Sequence, residues 1–140
     1  MKMTNLKRRV VLGLILFSTA QLHALDAVVI VNDSVSVTQL APSALKAIYT
    51  GKTMYWEGGQ GISLVVADGS ADAALQEASG MGTTQFRTHW QRLAFSGRGQ
   101  PPKKVGDVEK AVALVKATRG AIAILPPGTQ VKGVKKLEVK

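Results

Sequence analysis

Apolar residues gather in three short runs that predict the strands of a buried sheet. These runs are residues 27–31, 62–67 and 121–125, and Val, Ile and Ala dominate them. Apolar runs that scarcely alternate with polar residues are typical of parallel strands covered on both faces. Residues 134–139 alternate more clearly and predict a last strand at the sheet edge, and residues 105–106 predict a short one.

Between these runs, apolar residues recur at helical spacing. They predict helices over residues 42–49 and 71–79, a third helix that ends soon after Phe95, and a fourth that follows Asp107. Ser70 and Asp107 are suitable N-cap residues for the second and fourth helices. Strands that alternate with helices predict an α/β fold, with helices on both faces of a largely parallel sheet.

The third predicted helix carries an aromatic stripe. Phe86, Trp90 and Leu93 fall at i, i+4 and i+7, which places them on one face of the helix. Core packing is the expected role of such a stripe. Residues 96–104 contain two glycines, two prolines and three cations, so they predict a basic loop with a restricted backbone.

The first 24 residues have the composition of a secretory signal. Four Lys or Arg and no acid are followed by an apolar core at residues 10–17, which is too short for a membrane helix of about 20 residues. We expect cleavage after Ala24 and an exported, periplasmic or otherwise secreted protein, in which residues 25–140 form one domain. An uncleaved anchor is the alternative.

Removing this segment changes the charge of the chain. The full sequence has 18 Lys and Arg against nine Asp and Glu, a formal charge of +9, whereas residues 25–140 keep 14 against nine, or +5. This mild excess does not indicate a nucleic-acid binder, and it suits an anionic small molecule or surface. The absence of cysteine excludes thiol catalysis, zinc–thiolate sites and iron–sulfur clusters.

Patterns that indicate catalysis are weak in this sequence. His23 lies in the predicted signal, so His89 is the single histidine of the remaining chain, and we expect it to be a surface or half-buried helix residue. No G-x-S-x-G, Walker A or G-x-G-x-x-G pattern occurs, and one histidine with scattered acids does not make a metal site. We therefore expect a protein that is not an enzyme, with no catalytic residue, metal or cofactor.

Four motifs occur in a fixed order along the chain. They are the opening strand at residues 28–32, LKAIYTGK at 45–52 with WEGG at 56–59, FSGRGQPP at 95–102, and GAIAI at 120–124. Together they resemble the short, phosphate-binding-protein-like members of the periplasmic substrate-binding superfamily, over about residues 27–139. The resemblance implies a single-lobe periplasmic-binding-protein-like αβα sandwich.

The resemblance also implies a function, that of a non-catalytic phosphate ABC transporter substrate-binding component. A full receptor of this kind holds its ligand between two lobes, whereas this chain has the length of one lobe. The alternative is a periplasmic interaction or sensor module that binds a protein partner of the envelope and no phosphate.

The candidate ligand site is Asp68-Gly69-Ser70, where a predicted strand turns into a predicted helix. Free N–H groups and the positive end of the helix dipole favour phosphate or another small oxyanion there. The resemblance implies the same place, but Val66 and Asp72 stand where the family has Arg and Thr. Loss of a bidentate arginine and gain of a carboxylate predict weak binding, and an ordinary capped turn is the alternative.

A basic rim is the second candidate site. Its members are Arg87, Arg98, Lys103 and Lys104. This rim is either a solvated face or an electrostatic docking surface for an acidic protein or an anionic envelope polymer.

Overall fold

The computed structural model describes residues 25–69 and 71–140. The predicted signal and its cleavage site therefore lie outside the described residues, as does Ser70. Among the residues it describes, no helix is both long and apolar enough to cross a membrane.

Strands and helices alternate through this part of the chain. In chain order they are β1 (Val28–Val31), β2 (Gln39–Leu40), α1 (Pro42–Tyr49), β3 (Ser63–Ala67), α2 (Asp72–Ser79), α3 (Thr83–Phe95), β4 (Lys103–Val105), α4 (Val108–Ala117), β5 (Ala121–Leu125) and β6 (Lys135–Val139). The α/β class predicted from the hydrophobic pattern is confirmed.

The strands form one sheet in the order β2-β6-β1-β5-β3-β4. Strand β1 is antiparallel to both of its neighbours, β5 and β6, whereas β5, β3 and β4 are mutually parallel and β2 is parallel to β6. Five strands therefore run in one direction and β1 is reversed among them, which confirms a largely parallel sheet. The prediction of β6 as an edge strand is wrong, because the two-residue strand β2 covers its outer side.

Side chains alternate between two apolar layers along the central strands. In β1, Val29 and Val31 pack with α1, α2 and α3, whereas Ile30 packs on the opposite face with α4. In β5, Ala121 and Ala123 face α4, and their small side chains leave room for that helix beside the sheet. Helices cover both faces, so the predicted αβα sandwich is confirmed.

Local sequence explains where the helices begin. Pro42 occupies the first turn of α1, where its missing N–H needs no partner. The Asp107 carboxylate accepts a hydrogen bond of 2.8 Å from the Lys110 N–H and caps α4 as predicted. Helix α2 begins at Asp72 with Ala71 in the N-cap position and no side-chain cap, so the prediction of Ser70 as its N-cap is wrong.

Candidate functional site

The turn after β3 lies at the edge of the sheet where the parallel strands have their carboxyl ends. Asp68 and Gly69 form this turn directly before α2. The Asp68 N–H donates to the Val105 carbonyl oxygen over 2.8 Å, which ties the turn to the end of β4. Gly69 has a φ of 72°, a left-handed conformation that glycine adopts without steric cost.

Strand pairing brings Lys104 to this turn. Lys104 is aligned with Val66 on the neighbouring strand β3, and both line the same groove. The Lys104 Nζ lies 3.7 Å from Asp68 Oδ1, with side-chain exposures of 59% and 70%. An ion pair this exposed contributes little stability. The Lys104 cation therefore lies beside Val66, the position at which the resemblance described above would imply an arginine.

A groove of about 140 Å³ runs from this turn between α2, α3 and β4. Buried apolar side chains of α2 and α3, including Leu75, Phe86 and Trp90, form part of its wall. Its charged lining residues are Asp68, Asp72, Arg87 and Lys104. The formal charges of these two carboxylates and two cations sum to zero. The described lining of the groove therefore has no net charge to attract an anion.

The four cations of the predicted rim are separated in the structure. Arg87 and Lys104 line the groove beside Asp68, whereas Arg98 borders other grooves at the carboxyl ends of α1 and α3. Lys103 is aligned with Val65, whose side chain belongs to the α4 layer. All four side chains are exposed, but they do not line a common groove.

The start of α2 is less favourable to an anion than the sequence motif alone indicates. Asp72, half-buried in the first turn, already complements the positive end of the helix dipole. Ser70 lies outside the described residues, so its predicted hydrogen bond to a ligand stays a prediction. Asp68 and Gly69 are exposed and therefore accessible to a small ligand.

His89 contacts both the end of α1 and its own helix neighbour Trp90. Its Nε2 lies 2.8 Å from the Thr50 carbonyl oxygen, which can only accept, so this nitrogen carries the proton. The ring is half-buried, as predicted, and packs edge-on against Trp90 with ring centroids 6.2 Å apart. Among the described residues, no three His, Asp or Glu side chains come close enough together to hold a metal ion.

Comparison with known proteins gives similarity of fold. No family model matches the chain, and no curated protein matches it. A solved protein of Clostridium perfringens, described as a phosphate ABC transporter substrate-binding protein with bound phosphate, aligns with a TM-score of 0.63 and 21% identity over 81% of this chain. An ABC-type phosphate transport receptor of Vibrio cholerae gives 0.54 and 21%, and PstS of Borrelia burgdorferi gives 0.59 and 15%, each again over 81% of this chain.

The match covers only part of each neighbour. The aligned region takes up 44% of the C. perfringens chain, 45% of the V. cholerae chain and 47% of the B. burgdorferi chain. The aligned part of this chain therefore spans less than half the length of these neighbours. The resemblance to phosphate-binding proteins is confirmed at the level of the fold, and it is a partial resemblance of the kind a single lobe gives.

Proposed function

We propose that residues 25–140 form an exported, non-catalytic binding lobe that holds phosphate or another small oxyanion weakly at the carboxyl end of β3. The observation that carries this proposal is the position of Lys104, beside Asp68 and aligned with Val66. The proposal is supported by the similarity to solved phosphate-binding proteins, one of them described with bound phosphate.

Three groups favour an anion at this place. They are the amino end of α2, with its N–H groups and positive dipole, and the side chains of Lys104 and Arg87. Asp68 and Asp72 oppose it. Asp68, Arg87 and Lys104 are exposed, and in water two unit charges 4 Å apart interact with only about 1 kcal/mol. We therefore expect a dissociation constant no lower than roughly the millimolar range, about −4 kcal/mol.

Titration with inorganic phosphate, followed by calorimetry and by backbone amide chemical shifts, tests the site. The amide signals of Gly69 and Ala71 are expected to shift. Lys104→Ala should weaken binding several-fold, because it removes the cation nearest the turn. Lys103→Ala is the matched control, since that neighbouring lysine lies on the other face of β4 and its loss should leave the titration unchanged.

A charge reversal in the same groove tests the sign of the effect. Asp72→Arg replaces a carboxylate with a guanidinium in the first turn of α2, so we expect binding to become at least tenfold tighter. Micromolar affinity of the unaltered monomer for phosphate would contradict the proposal that a single lobe binds this anion weakly. Shifts at residues 98–103, without shifts at Gly69, Ala71 and Lys104, would move the site to the basic loop.

The second candidate function is an interaction module that binds a protein partner and no phosphate. Two exposed aromatic side chains favour it: Phe95 is 97% exposed and Tyr55 is 67% exposed. If a phosphate titration gives neither heat nor amide shifts, the interaction module is favoured over the oxyanion-binding lobe.

A further inference from the structure

Helices α1 and α3 end in the same motif, at residues 50–52 (TGK) and 96–98 (SGR). In each, the glycine has a positive φ, 74° and 69°. The N–H groups of Lys52 and Arg98 each donate back to a carbonyl oxygen of the preceding helix over 2.9 Å. Both ends are therefore Schellman motifs, and each holds the backbone of a cationic residue in a defined place.

The two helix ends pack against each other. A Cβ added to Gly51 would lie 2.8 Å from Leu93 Cδ1 and 3.1 Å from Trp90 Cη2, so α3 covers the end of α1 closely. The hydrogen bond from His89 to the Thr50 carbonyl oxygen adds a polar contact between them. As a result, Lys52 and Arg98 border one groove of about 690 Å³.

The groove has a surplus of positive charge. Lys46 lines it together with Lys52 and Arg98, and the described residues of its lining include neither Asp nor Glu. None of these three cations belongs to an ion pair formed by the described residues. The carboxyl ends of α1, α2 and α3 all meet here, and each contributes about −0.5 of a charge. They balance about half of the positive charge, and the remainder favours an anionic ligand.

Apolar surface adjoins the cations. Arg98 also borders a second groove of about 490 Å³, lined in part by Met54, Tyr55 and Trp90. Within the described part of the chain, no Asp or Glu lines this groove either. Tyr55 shares this groove with Arg98, and it is 67% exposed. Exposed aromatic side chains beside arginine are the residue types that anchor protein interfaces.

We infer that this surface, the α1–α3 corner formed by Lys52, Tyr55 and Arg98, docks an acidic segment of a partner protein. Carboxylates of the segment face Lys52 and Arg98, and its apolar side chains cover the Tyr55 ring. The helix-end motifs hold the backbone at both cations before binding, which reduces the ordering cost. The corner is distinct from the oxyanion site, because α2 starts at that site and ends here, about 12 Å away for eight residues.

A fluorescein-labelled peptide of ten alternating glutamate and leucine residues tests this inference by anisotropy titration of the purified protein. We expect micromolar binding, at least tenfold weaker after Arg98→Ser and after Tyr55→Ser. Arg119→Ser is the matched control, because this exposed arginine follows α4 in the chain, and α4 covers the other face of the sheet. Thermal unfolding midpoints should stay unchanged in all three variants, since each side chain is exposed.

Three results would overturn the inference. The first is the absence of binding, and the second is a loss of affinity as large for Arg119→Ser as for Arg98→Ser. The third is equal binding of a glutamate–serine peptide of the same charge, insensitive to Tyr55→Ser, which would indicate an anionic polymer instead. Phosphate titration of the Lys104 variant tests the oxyanion site, whereas the peptide titration tests the α1–α3 corner. Failure of one proposal is therefore distinguishable from failure of the other.

Discussion

Trp90 connects α3 to α1 and to the sheet. Its side chain is 4% exposed, its ring packs 6.3 Å from that of Phe86, and its indole N–H donates to the Tyr49 carbonyl oxygen over 3.0 Å. The predicted burial is confirmed. Trp90→Ala should lower the free energy of unfolding by about 3–5 kcal/mol, a large share of the roughly 5–15 kcal/mol typical of a domain.

Urea unfolding measures this loss, with Arg92→Ala as the control on the exposed side of the same helix. Trp90→Phe should fall between the two, since it keeps an aromatic ring but loses the N–H donor. An unchanged midpoint for Trp90→Ala would mean that this face of α3 does not stabilise the fold.

Tyr49 makes the stability of the protein depend on alkaline pH. Burial raises the pKa of its phenol well above the ordinary value, and the nearby Ile124 backbone lowers it only in part. The hydroxyl makes no hydrogen bond of good geometry within the described residues. The unfolded chain releases this proton near pH 10, whereas the folded protein retains it. Stability that is complete below pH 10 should therefore fall by about 1.4 kcal/mol per pH unit above it.

Tyr49→Phe removes this proton without removing the ring. Urea unfolding of both proteins between pH 9 and 11.5 measures the difference, and the lysines contribute equally to each. The variant should lose less stability with rising pH, and equal slopes would count against a retained proton. At neutral pH the substitution should cost little, because the buried hydroxyl has no partner to lose.

The sequence predicted the candidate site only in part. The motif at Asp68 and Gly69 is local, so its place between a strand and a helix was readable from turn chemistry. Lys104 was assigned to a separate rim, because its approach to Asp68 depends on the pairing of β3 with β4, which joins residues far apart in the chain. Charge content predicted a basic surface, but the direction of each side chain depends on tertiary structure.

At the scale of elements, the motifs of the resemblance serve mainly to connect the fold. The Trp56 indole N–H donates to the Gly120 carbonyl oxygen over 2.9 Å, and the Gly120 N–H donates to Ser34 Oγ over 3.0 Å. These contacts lie at the start of β5 and join it to the segments before β2 and β3. In this chain, two of these motifs therefore stabilise the fold.

Gly120 gives a test of this connection. It has a φ of 73°, and a Cβ there would lie 2.1 Å from the Gly61 carbonyl oxygen. Gly128 has a φ of 75° and open space around it. Gly128→Ala should cost only the left-handed conformation, about 1–2 kcal/mol, whereas Gly120→Ala should cost at least about 1–3 kcal/mol more through the backbone clash. Similar thermal midpoints for the two variants would show that the segment around Gly61 can move away from the new Cβ without loss of stability.

Strong local signals placed most elements correctly. Helix α1 and strand β5 have the predicted bounds, because Pro42 and Gly120 mark ends that need no tertiary information. Strand β2 was missed because it has only two residues and pairs with the distant end of the chain. The reversed direction of β1 could not be predicted, since an apolar run shows burial and not orientation.

At the scale of the molecule, export stays a prediction, since the first 24 residues lie outside the described part. The basic start and short apolar core predict cleavage after Ala24. Intact mass and amino-terminal sequencing of protein from the cell envelope should therefore find Leu25 as the first residue. A full-length mass, or protein confined to the cytoplasm, would contradict export.

The partial match to longer neighbours raises the question of whether one lobe acts alone. The 116 residues from 25 to 140 have two apolar layers around one sheet, and a domain of this size can fold on such a core. Small-angle scattering of this fragment should give a radius of gyration of about 13–14 Å, the value for a compact monomer of that length. Phosphate should leave it unchanged, because a single lobe has no opposing lobe to close upon. A larger radius of gyration that decreases on addition of phosphate would instead indicate that a second copy of the chain supplies the other wall of the site. The millimolar affinity expected above would then apply only to the dissociated monomer.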